Sequence, residues 1–325
     1  MSREGNSLFI ESSNGNPPGV MTGRTLHKTI GAVCCIFNPF RLESRIRNYL
    51  LFREGIEKAG IRLLTVELAF ADTPFQIDDG PNVVHVRGGD IMWQKERLLQ
   101  IGGERLLAEE YSGLVFLDAD LIFHDDGWPL RVVDALDRHP VVQCFSAAVK
   151  TYTDEVVDAA SAVSAWQRES RLRGSAKGLA WAMRSDLFAC TGLYQHCVVG
   201  GGDSALCLAA LGLAHGSDAW TETLSSETFM RPAGPIMLAH YQAWACRFFE
   251  AAGETAGHVA GTVETLVHGS RERRRYGDRH EILAGFEPER EVAAAAVGAF
   301  VWTESGEARR KPVRRYLFDR LEDAE

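Results

Sequence analysis

The sequence predicts an α/β protein with a mostly parallel sheet covered by helices on both faces. Short apolar runs over 29–37, 61–68 and 114–123 have the length and continuity of buried strands. Stretches of helical periodicity over 42–59 and 93–105 separate them. This alternation is typical of crossover connections that bring successive strands parallel in one sheet.

Local signals mark where the elements end. The first strand stops at the turn signal Asn38-Pro39, and Gly60 ends the first helix. The remaining predicted helices span 130–137, 156–171, 204–213, 236–249 and 287–299, and the remaining strands span 82–87, 141–145 and 263–267.

One domain, with a segment on either side of it, accounts for the 325 residues. Residues 1–28 are polar and rich in Ser, Asn, Gly and Pro, which predicts a flexible leader. Neither an internal repeat nor a long linker interrupts 29–285. Residues 286–325 form a predicted C-terminal helical appendage.

Composition excludes several classes of function. A net charge of −9 argues against nucleic-acid binding. Because no apolar run reaches the roughly 18 to 20 residues that span a bilayer, we expect no transmembrane segment, and a lipid acceptor would require peripheral membrane association. The 7 cysteines are scattered without a CxxC pair, so we expect buried free thiols and a cytoplasmic location.

Two carboxylates, Asp118 and Asp120, interrupt the apolar run over 114–123. Burying two bare charges inside a strand is costly. We therefore expect the strand to end at Leu117 and the carboxylates to project into a cleft at its C-terminal edge. Asp-x-Asp puts both side chains on one side of an extended chain, where they suit Mg²⁺ or Mn²⁺ with phosphate oxygens as further ligands. The alternative is a pair of turn or helix-capping aspartates.

Three consecutive glycines, 200–202, precede Asp203. They are unlikely in a regular element and allow a backbone to approach a ligand closely. Asp203 is either a general base or the N-cap of the next helix, and the two roles are compatible. Since G-x-G-x-x-G and a P-loop motif are both missing after the first strand, a dinucleotide fold and a P-loop ATPase are unsupported.

An ordered set of features resembles the GT-A fold nucleotide-sugar glycosyltransferases, in particular the family-2-like group. The set is the Asp-x-Asp pair, a strand carrying Trp181, then Gly202-Asp203, then His268-Gly269 followed by arginines. The resemblance covers 29–285. It implies a Rossmann-like sheet and the metal-dependent transfer of a sugar, of hexosyltransferase type, from a nucleoside-diphosphate sugar to an acceptor hydroxyl.

The resemblance also implies a metal site. In such enzymes the second aspartate of the pair binds the metal directly, a role that falls to Asp120. The first, Asp118, lies near the ribose or a metal-bound water. His268 would complete the site and favour Mn²⁺ over Mg²⁺. The alternative for His268 is a hydrogen-bonded structural histidine at a strand end.

Catalysis would be inverting, with Asp203 taking the proton of the acceptor hydroxyl. Gly201 and Gly202 would let the acceptor approach, and Trp181 would stack on a sugar face unless it packs in the core. Many family members carry an acidic residue where this chain has Gly202. That departure leaves the base and a retaining mechanism open.

The resemblance places the nucleotide as well. Phe37, Asn38 and Pro39 end the first strand where the nucleobase sits in similar proteins. Glu67 would accept hydrogen bonds from the base or ribose, or else is a surface charge. Lys95 would lie near the nucleotide, or on a helix surface. Arg271, Arg273, Arg274 and Arg275 would clamp the diphosphate, and Arg271 and Arg275 are the candidate site residues. The alternative, for at least two of the four, is a solvated basic turn.

Two other functions compete with this hypothesis. A sugar nucleotidyltransferase normally carries a Gly-rich basic loop after the first strand, where this chain has Asn38-Pro39-Phe40-Arg41. A non-catalytic nucleotide-sugar-binding protein would be expected to lose Asp120 or Asp203, and both are present.

Overall fold

The structure is a computed structural model that describes residues 29–214, 230, 232–267, 269–276, 279–295 and 298–320. The predicted leader and His268 therefore lie outside the described residues.

The described strands and helices follow one another along most of the chain. The strands are β1 (Ile30–Phe37), β2 (Leu63–Ala69), β3 (Val83–Arg87), β4 (Gly113–Leu117), β5 (Leu121–Phe123), β6 (Val141–Gln143), β7 (Ala147–Thr151), β8 (Val156–Ala160), β9 (Ala180–Arg184), β10 (Gly257–His258), β11 (Thr262–Thr265), β12 (Val292–Ala294) and β13 (Phe300–Trp302). The helices are α1 (Glu43–Lys58), α2 (Lys95–Ala108), α3 (Trp128–Leu136), α4 (Ala162–Glu169), α5 (Ser185–Thr191), α6 (Gly202–Ala210), α7 (Pro235–Ala251), α8 (Pro288–Glu291) and α9 (Glu307–Phe318).

A seven-stranded sheet in the order β10-β6-β9-β4-β1-β2-β3 forms the centre of the molecule. β9 runs antiparallel to β4 and β6, and the other pairings are parallel. The predicted α/β class with a mostly parallel sheet is confirmed.

Helices cover both faces of this sheet, as predicted. Side chains of β1 alternate between two apolar clusters, with Val33 in one and Cys34 in the other, because successive strand residues point to opposite faces. The cluster around Val33 includes side chains from α2, α5, α6 and α7, and the other includes side chains from α1 and α3. The core is thus split into two layers by the sheet.

A second, four-stranded sheet in the order β5-β11-β7-β8 adjoins the first. β4 ends at Leu117 and β5 begins at Leu121, so the chain passes from one sheet to the other across Asp118 and Asp120. The prediction that the strand stops at Leu117 is confirmed. The two carboxylates lie at the junction of the sheets rather than inside a strand.

Two predicted helices are wrong. The segment 156–171 begins with β8, whose β-branched residues pair antiparallel with β7, and only then forms α4. Ser161 separates them and caps α4 by accepting the Ser164 N–H at 3.2 Å. The segment 287–299 contains the single turn α8, and a hairpin of β12 and β13 follows it. Helix propensity of its alanines is overridden by a turn at Gly298, whose φ is +96°.

The C-terminal segment packs against the same large core as α2. Gln94, fully buried, accepts the Phe300 N–H at 3.0 Å and donates to the Phe300 carbonyl at 2.9 Å. Asp90 accepts the Trp302 N–H and pairs with Arg310. Residues preceding α2 therefore fix the position of β13 and α9.

All 7 cysteines are free thiols, and Cys34, Cys144, Cys197 and Cys207 are buried. None of the helices in the described part of the chain combines the length and apolar character needed to span a membrane.

Replacing Gln94 by Leu should lower the free energy of unfolding by about 1–3 kcal/mol, because it leaves the buried Phe300 N–H without its acceptor, while the Phe300 carbonyl keeps only the Asp90 N–H. Urea unfolding followed by circular dichroism measures this. Gln167→Leu is the control, since Gln167 is exposed and makes a single bond to the Ala256 carbonyl. Equal effects of the two substitutions would contradict the role assigned to Gln94.

Candidate active site

A cavity of about 510 Å³ opens where the two sheets meet, beyond the carboxyl ends of β1 and β4. Basic side chains dominate its wall although the protein is acidic. The acidic lining residues are Asp118, Asp120 and Asp203, and the basic ones are Arg45, Lys95, Lys150, Lys177, Arg271, Arg274, Arg279 and Arg320. This balance favours an anionic ligand together with a cation held by the carboxylates.

Lys95 joins two of the predicted site carboxylates. Its Nζ lies 2.5 Å from Asp118 Oδ1 and 2.6 Å from Asp203 Oδ1. Although burial disfavours its charge, Asp118 and Asp203 hold the pKa of Lys95 well above its ordinary value. The structure thus brings Lys95, Asp118 and Asp203 into direct contact.

In Asp118 the environment favours the neutral form of the side chain, whereas in Lys95 it favours the charged form. Burial raises its pKa to about 7 against the opposing effect of Lys95, and the charges of Asp203 and Asp120 add to the rise. Its backbone N–H donates to the Leu179 carbonyl at 2.8 Å, which fixes its position next to β9.

Glycines set the position of Asp203 in the first turn of α6. Gly201, at the N-cap, has φ +107°, which a residue with a side chain rarely adopts. A Cβ on Gly178 would lie 2.5 Å from the Asp203 carboxylate, and one on Gly202 would lie 2.0 Å from Glu96 Oε1. The triple glycine therefore permits close packing of α6 on the start of α2.

Glu96 lies behind this group and does not line the large cavity. It is buried, and burial, with a contribution from Asp203, raises its pKa to about 8 against the effect of Lys95. Glu96 and Trp181 border a smaller cavity of about 30 Å³ that also touches Lys95, Asp118 and Asp203. An un-ionised carboxyl group thus lies directly beneath the ionic cluster near neutral pH.

Asp120 lines the large cavity at the beginning of β5. Its carbonyl accepts the Leu266 N–H at 2.8 Å, beside β11. The Val267 carbonyl in turn accepts from Asn48 Nδ2 at 2.9 Å, and Asn48 also lines the cavity. His268 itself is not described.

Aromatic and basic side chains in contact with one another also line the cavity. The Arg320 guanidinium lies 4.9 Å from the Trp93 ring centroid, and that of Arg279 lies 5.2 Å from the Tyr276 ring. Both arginines are buried. Burial, together with the charges of Lys177 and Arg271, lowers the pKa of Lys150. Cations crowded this way would be stabilised by a bound anion.

Of the three residues predicted at the nucleobase, Phe37 alone lines the cavity, with its ring centroid 5.2 Å from that of Trp93 in an edge-on contact. Asn38 instead closes its own loop, because its side chain both donates to and accepts from the Leu42 backbone at 2.9 Å. Pro39 does not reach the cavity either.

The prediction that Glu67 binds the nucleotide is wrong. Glu67 is buried away from the cavity, and its carboxylate accepts hydrogen bonds from the N–H groups of Gln76 and Ile77 at 2.6 and 3.0 Å. It holds the loop after β2 and has no access to a nucleotide. Nor is it a surface charge.

Two further predictions are wrong: that Trp181 stacks on a sugar and that Arg275 binds the diphosphate. Trp181 packs within the core, because β9 lies between β4 and β6, and its Nε1 donates to the Lys177 carbonyl at 2.8 Å. Arg275 is exposed at the end of a 3₁₀ turn, while Arg271 lines the cavity and pairs with Glu155 at 3.0 Å. Gly201 also lines the large cavity, whereas Gly202 touches only the small one.

Sequence reasoning missed several basic lining residues: Arg45, Lys150, Lys177, Arg279 and Arg320. Lys177 lies in the glycine-flanked stretch 174–178, and Arg279 closes the arginine-rich stretch after His268. The sequence therefore contained a weak indication that both belong to a binding site. The remaining three lie on α1, β7 and the chain after α9, where the tertiary fold alone brings them together.

No family model and no curated protein matches the chain. Several solved structures are similar to it. Glucosyl-3-phosphoglycerate synthase from Mycobacterium tuberculosis, in complex with Mn²⁺, UDP-glucose and phosphoglyceric acid, has a TM-score of 0.37 and 12% identity over 85% of this chain and 86% of its own.

The catalytic domain of Drosophila β1,4-galactosyltransferase 7 has a TM-score of 0.32 and 11% identity over 55% of this chain, which spans 60% of that domain. A putative glucose-1-phosphate thymidylyltransferase from Bacillus anthracis has a TM-score of 0.31 and 8% identity over 79% of this chain and 95% of its own.

The raised pKa of Glu96 predicts a pH-dependent stability. Between its ordinary pKa of 4.5 and about 8, the folded protein keeps the proton on Glu96 while the unfolded chain releases it. The free energy of unfolding should therefore fall as pH rises through this window, by up to about 1.4 kcal/mol per pH unit.

Glu96→Gln should flatten that slope, and urea unfolding between pH 5 and 9 measures it. Glu104→Gln is the control, because Glu104 is exposed on the same helix. A slope unchanged in Glu96→Gln would show that other groups cause it.

Proposed function

We propose that the protein is a metal-dependent glycosyltransferase that moves a sugar from a nucleoside-diphosphate sugar to an acceptor hydroxyl. One observation carries the proposal: Asp118, Asp120, Asp203 and Lys95 meet at the carboxyl edge of the sheet, in a cavity with an excess of basic side chains. Ligands of open α/β sheets bind at this edge.

The basic wall suits the diphosphate of the donor. Arginine guanidinium groups bind phosphate oxygens in pairs of parallel hydrogen bonds, and Arg271, Arg274 and Arg279 all line the cavity. The nucleobase would lie against Phe37, as the sequence resemblance implies, with Trp93 beside it. The cavity thus offers a nucleoside diphosphate both an aromatic surface and cations, and Arg320 lies directly against Trp93.

Asp120 is the proposed metal ligand. Asp118 already has a cation, since Lys95 contacts its carboxylate, and Asp120 lines the same cavity two residues further along the chain. His268 is proposed as a further ligand, which would favour Mn²⁺ over Mg²⁺. When bound, the ion supplies Lewis-acid stabilisation of the charge on the departing diphosphate.

Asp203 is the proposed general base of an inverting transfer. Its carboxylate takes the proton of the acceptor hydroxyl while that oxygen bonds to the anomeric carbon and the bond from this carbon to the diphosphate oxygen breaks. Lys95 holds Asp203 Oδ1, and Gly178 leaves space next to the same carboxylate. Lys95 is thereby a positioning residue for both carboxylates.

Thermal unfolding with UDP, GDP and other nucleoside diphosphates, each with and without Mn²⁺, tests donor binding. A ligand specific for the folded state raises the melting temperature by mass action. We expect a metal-dependent rise with one nucleotide that disappears in Asp120→Ala. Asp126→Ala is the matched control, because Asp126 is an exposed aspartate six residues further along the chain that pairs with Lys58.

A rise that persists in Asp120→Ala would remove Asp120 from the metal site. Stabilisation by nucleoside triphosphate in preference to diphosphate, with pyrophosphate released from sugar 1-phosphate and triphosphate, would instead identify a sugar nucleotidyltransferase.

Asp203→Asn should lower transfer of the sugar, or its slow transfer to water, by about 10²–10⁴-fold while nucleotide binding remains. Release of nucleoside diphosphate measures the rate, and NMR of the liberated sugar reports whether the anomeric configuration inverts. A rate unchanged by the substitution would eliminate Asp203 as the base, and retention of configuration would eliminate the inverting mechanism.

A further inference from the structure

A second group of ligand-type side chains lies outside the cavity. His196, His240 and Glu289 each offer one donor atom, and these atoms all lie within 4.8 Å of one another. None of the three lines the large or the small cavity. They come from the loop before the triple glycine, from α7 and from α8. We propose that His196, His240 and Glu289 bind a divalent transition-metal ion, with Zn²⁺ the best match, independently of the proposed donor site.

The donor set and its spacing suit Zn²⁺. Two imidazoles and one carboxylate, with water in the fourth position, are a common zinc ligand set. Bonds of about 2.0–2.2 Å place tetrahedral ligand atoms roughly 3.3 Å apart. His240 Nε2 already lies 2.8 Å from Glu289 Oε1, so binding requires the three donor atoms, now within 4.8 Å of one another, to settle at about this tetrahedral spacing.

The surroundings orient His240 as they do in metal sites. Its Nδ1 lies 2.9 Å from the hydroxyl of buried Tyr194, which leaves Nε2 directed to Glu289. A hydrogen bond to the second ring nitrogen fixes the orientation of a metal-binding histidine. Tyr194 therefore takes the part of a positioning residue.

His196 distinguishes the group from an ordinary His–Glu pair. Its ring lies 4.8 Å from that of His240 and 5.3 Å from that of Phe300, and it has no hydrogen bond to another residue that the structure describes.

Charge and access are also compatible with a bound ion. The side chain of Glu289 is 78% exposed, so an ion and a water molecule can reach the group. Arg97 is the cation whose charge acts on His196, and its own guanidinium is held by Gln195 Oε1 at 2.9 Å and by the Phe300 ring. Metal binding would join the C-terminal segment at α8 to α7 and to the loop leading to Asp203.

The experiment titrates Zn²⁺ into the full chain carrying Asp120→Ala, after chelator treatment, by competition with a chromophoric chelator. We expect one equivalent of tightly bound Zn²⁺, at least about tenfold weaker in His196→Ala, and about 10–100-fold weaker in Tyr194→Phe. His124→Ala should leave the affinity unchanged. It is the matched control, because His124 pairs with Glu264 at 3.1 Å but is not part of a three-residue group.

Circular dichroism and thermal unfolding in the presence of chelator confirm that each variant folds. Glu289→Gln, at an exposed position, gives a further test if His196→Ala is unstable. Co²⁺ absorption characteristic of tetrahedral coordination, lost in His196→Ala, would support the proposal directly. Zn²⁺ affinity unchanged in both His196→Ala and Glu289→Gln, or tight binding that is absent in the Asp120→Ala background, would overturn it.

Discussion

The contact of one ammonium with two carboxylates organises the candidate active site. Lys95 is the first residue of α2, where the helix dipole disfavours a positive charge, and α2 has no side-chain cap. Asp118 and Asp203 offset this cost, since both lie within 2.6 Å of its Nζ. Without Lys95, the partly buried carboxylates would repel one another, and protonation would be the remaining way to relieve them. The pair of contacts therefore connects the start of α2 to both β4 and α6.

Close backbone approach makes that geometry possible. Gly102 and Gly103 lie inside α2 despite their low helix propensity, because a Cβ there would lie 2.3 Å from Val33 and 2.5 Å from Phe188. Gly178 serves the same purpose next to Asp203. Glycines at these contacts reduce the distance between α2, the sheet and α6, so that short ionic contacts form from three different segments.

The proposed base Asp203 and one proposed zinc ligand, His196, lie on one continuous segment. His196 precedes the triple glycine, and Asp203 follows it in the first turn of α6. The Val198 carbonyl between them accepts the Trp93 N–H at 2.8 Å, which ties this loop to the residues before Lys95. Metal binding at His196 would therefore limit the movement of Asp203 through this loop.

Local signals in the sequence were enough to predict the α/β class, the end of the strand at Leu117 and the position of Asp118 in a cleft beyond it, because apolar runs and charges inside them are read from neighbouring residues. It did not determine the strand at 156–160 or the hairpin after α8, where pairing with distant residues overrides local propensity. The hydrogen bonds from two backbone N–H groups to Glu67, and the position of Arg320 in the cavity wall, are visible only in the folded structure. The chemistry of a side chain follows from its residue type and can be read from the sequence. Its partners belong to segments far away along the chain, and only packing brings those segments into contact.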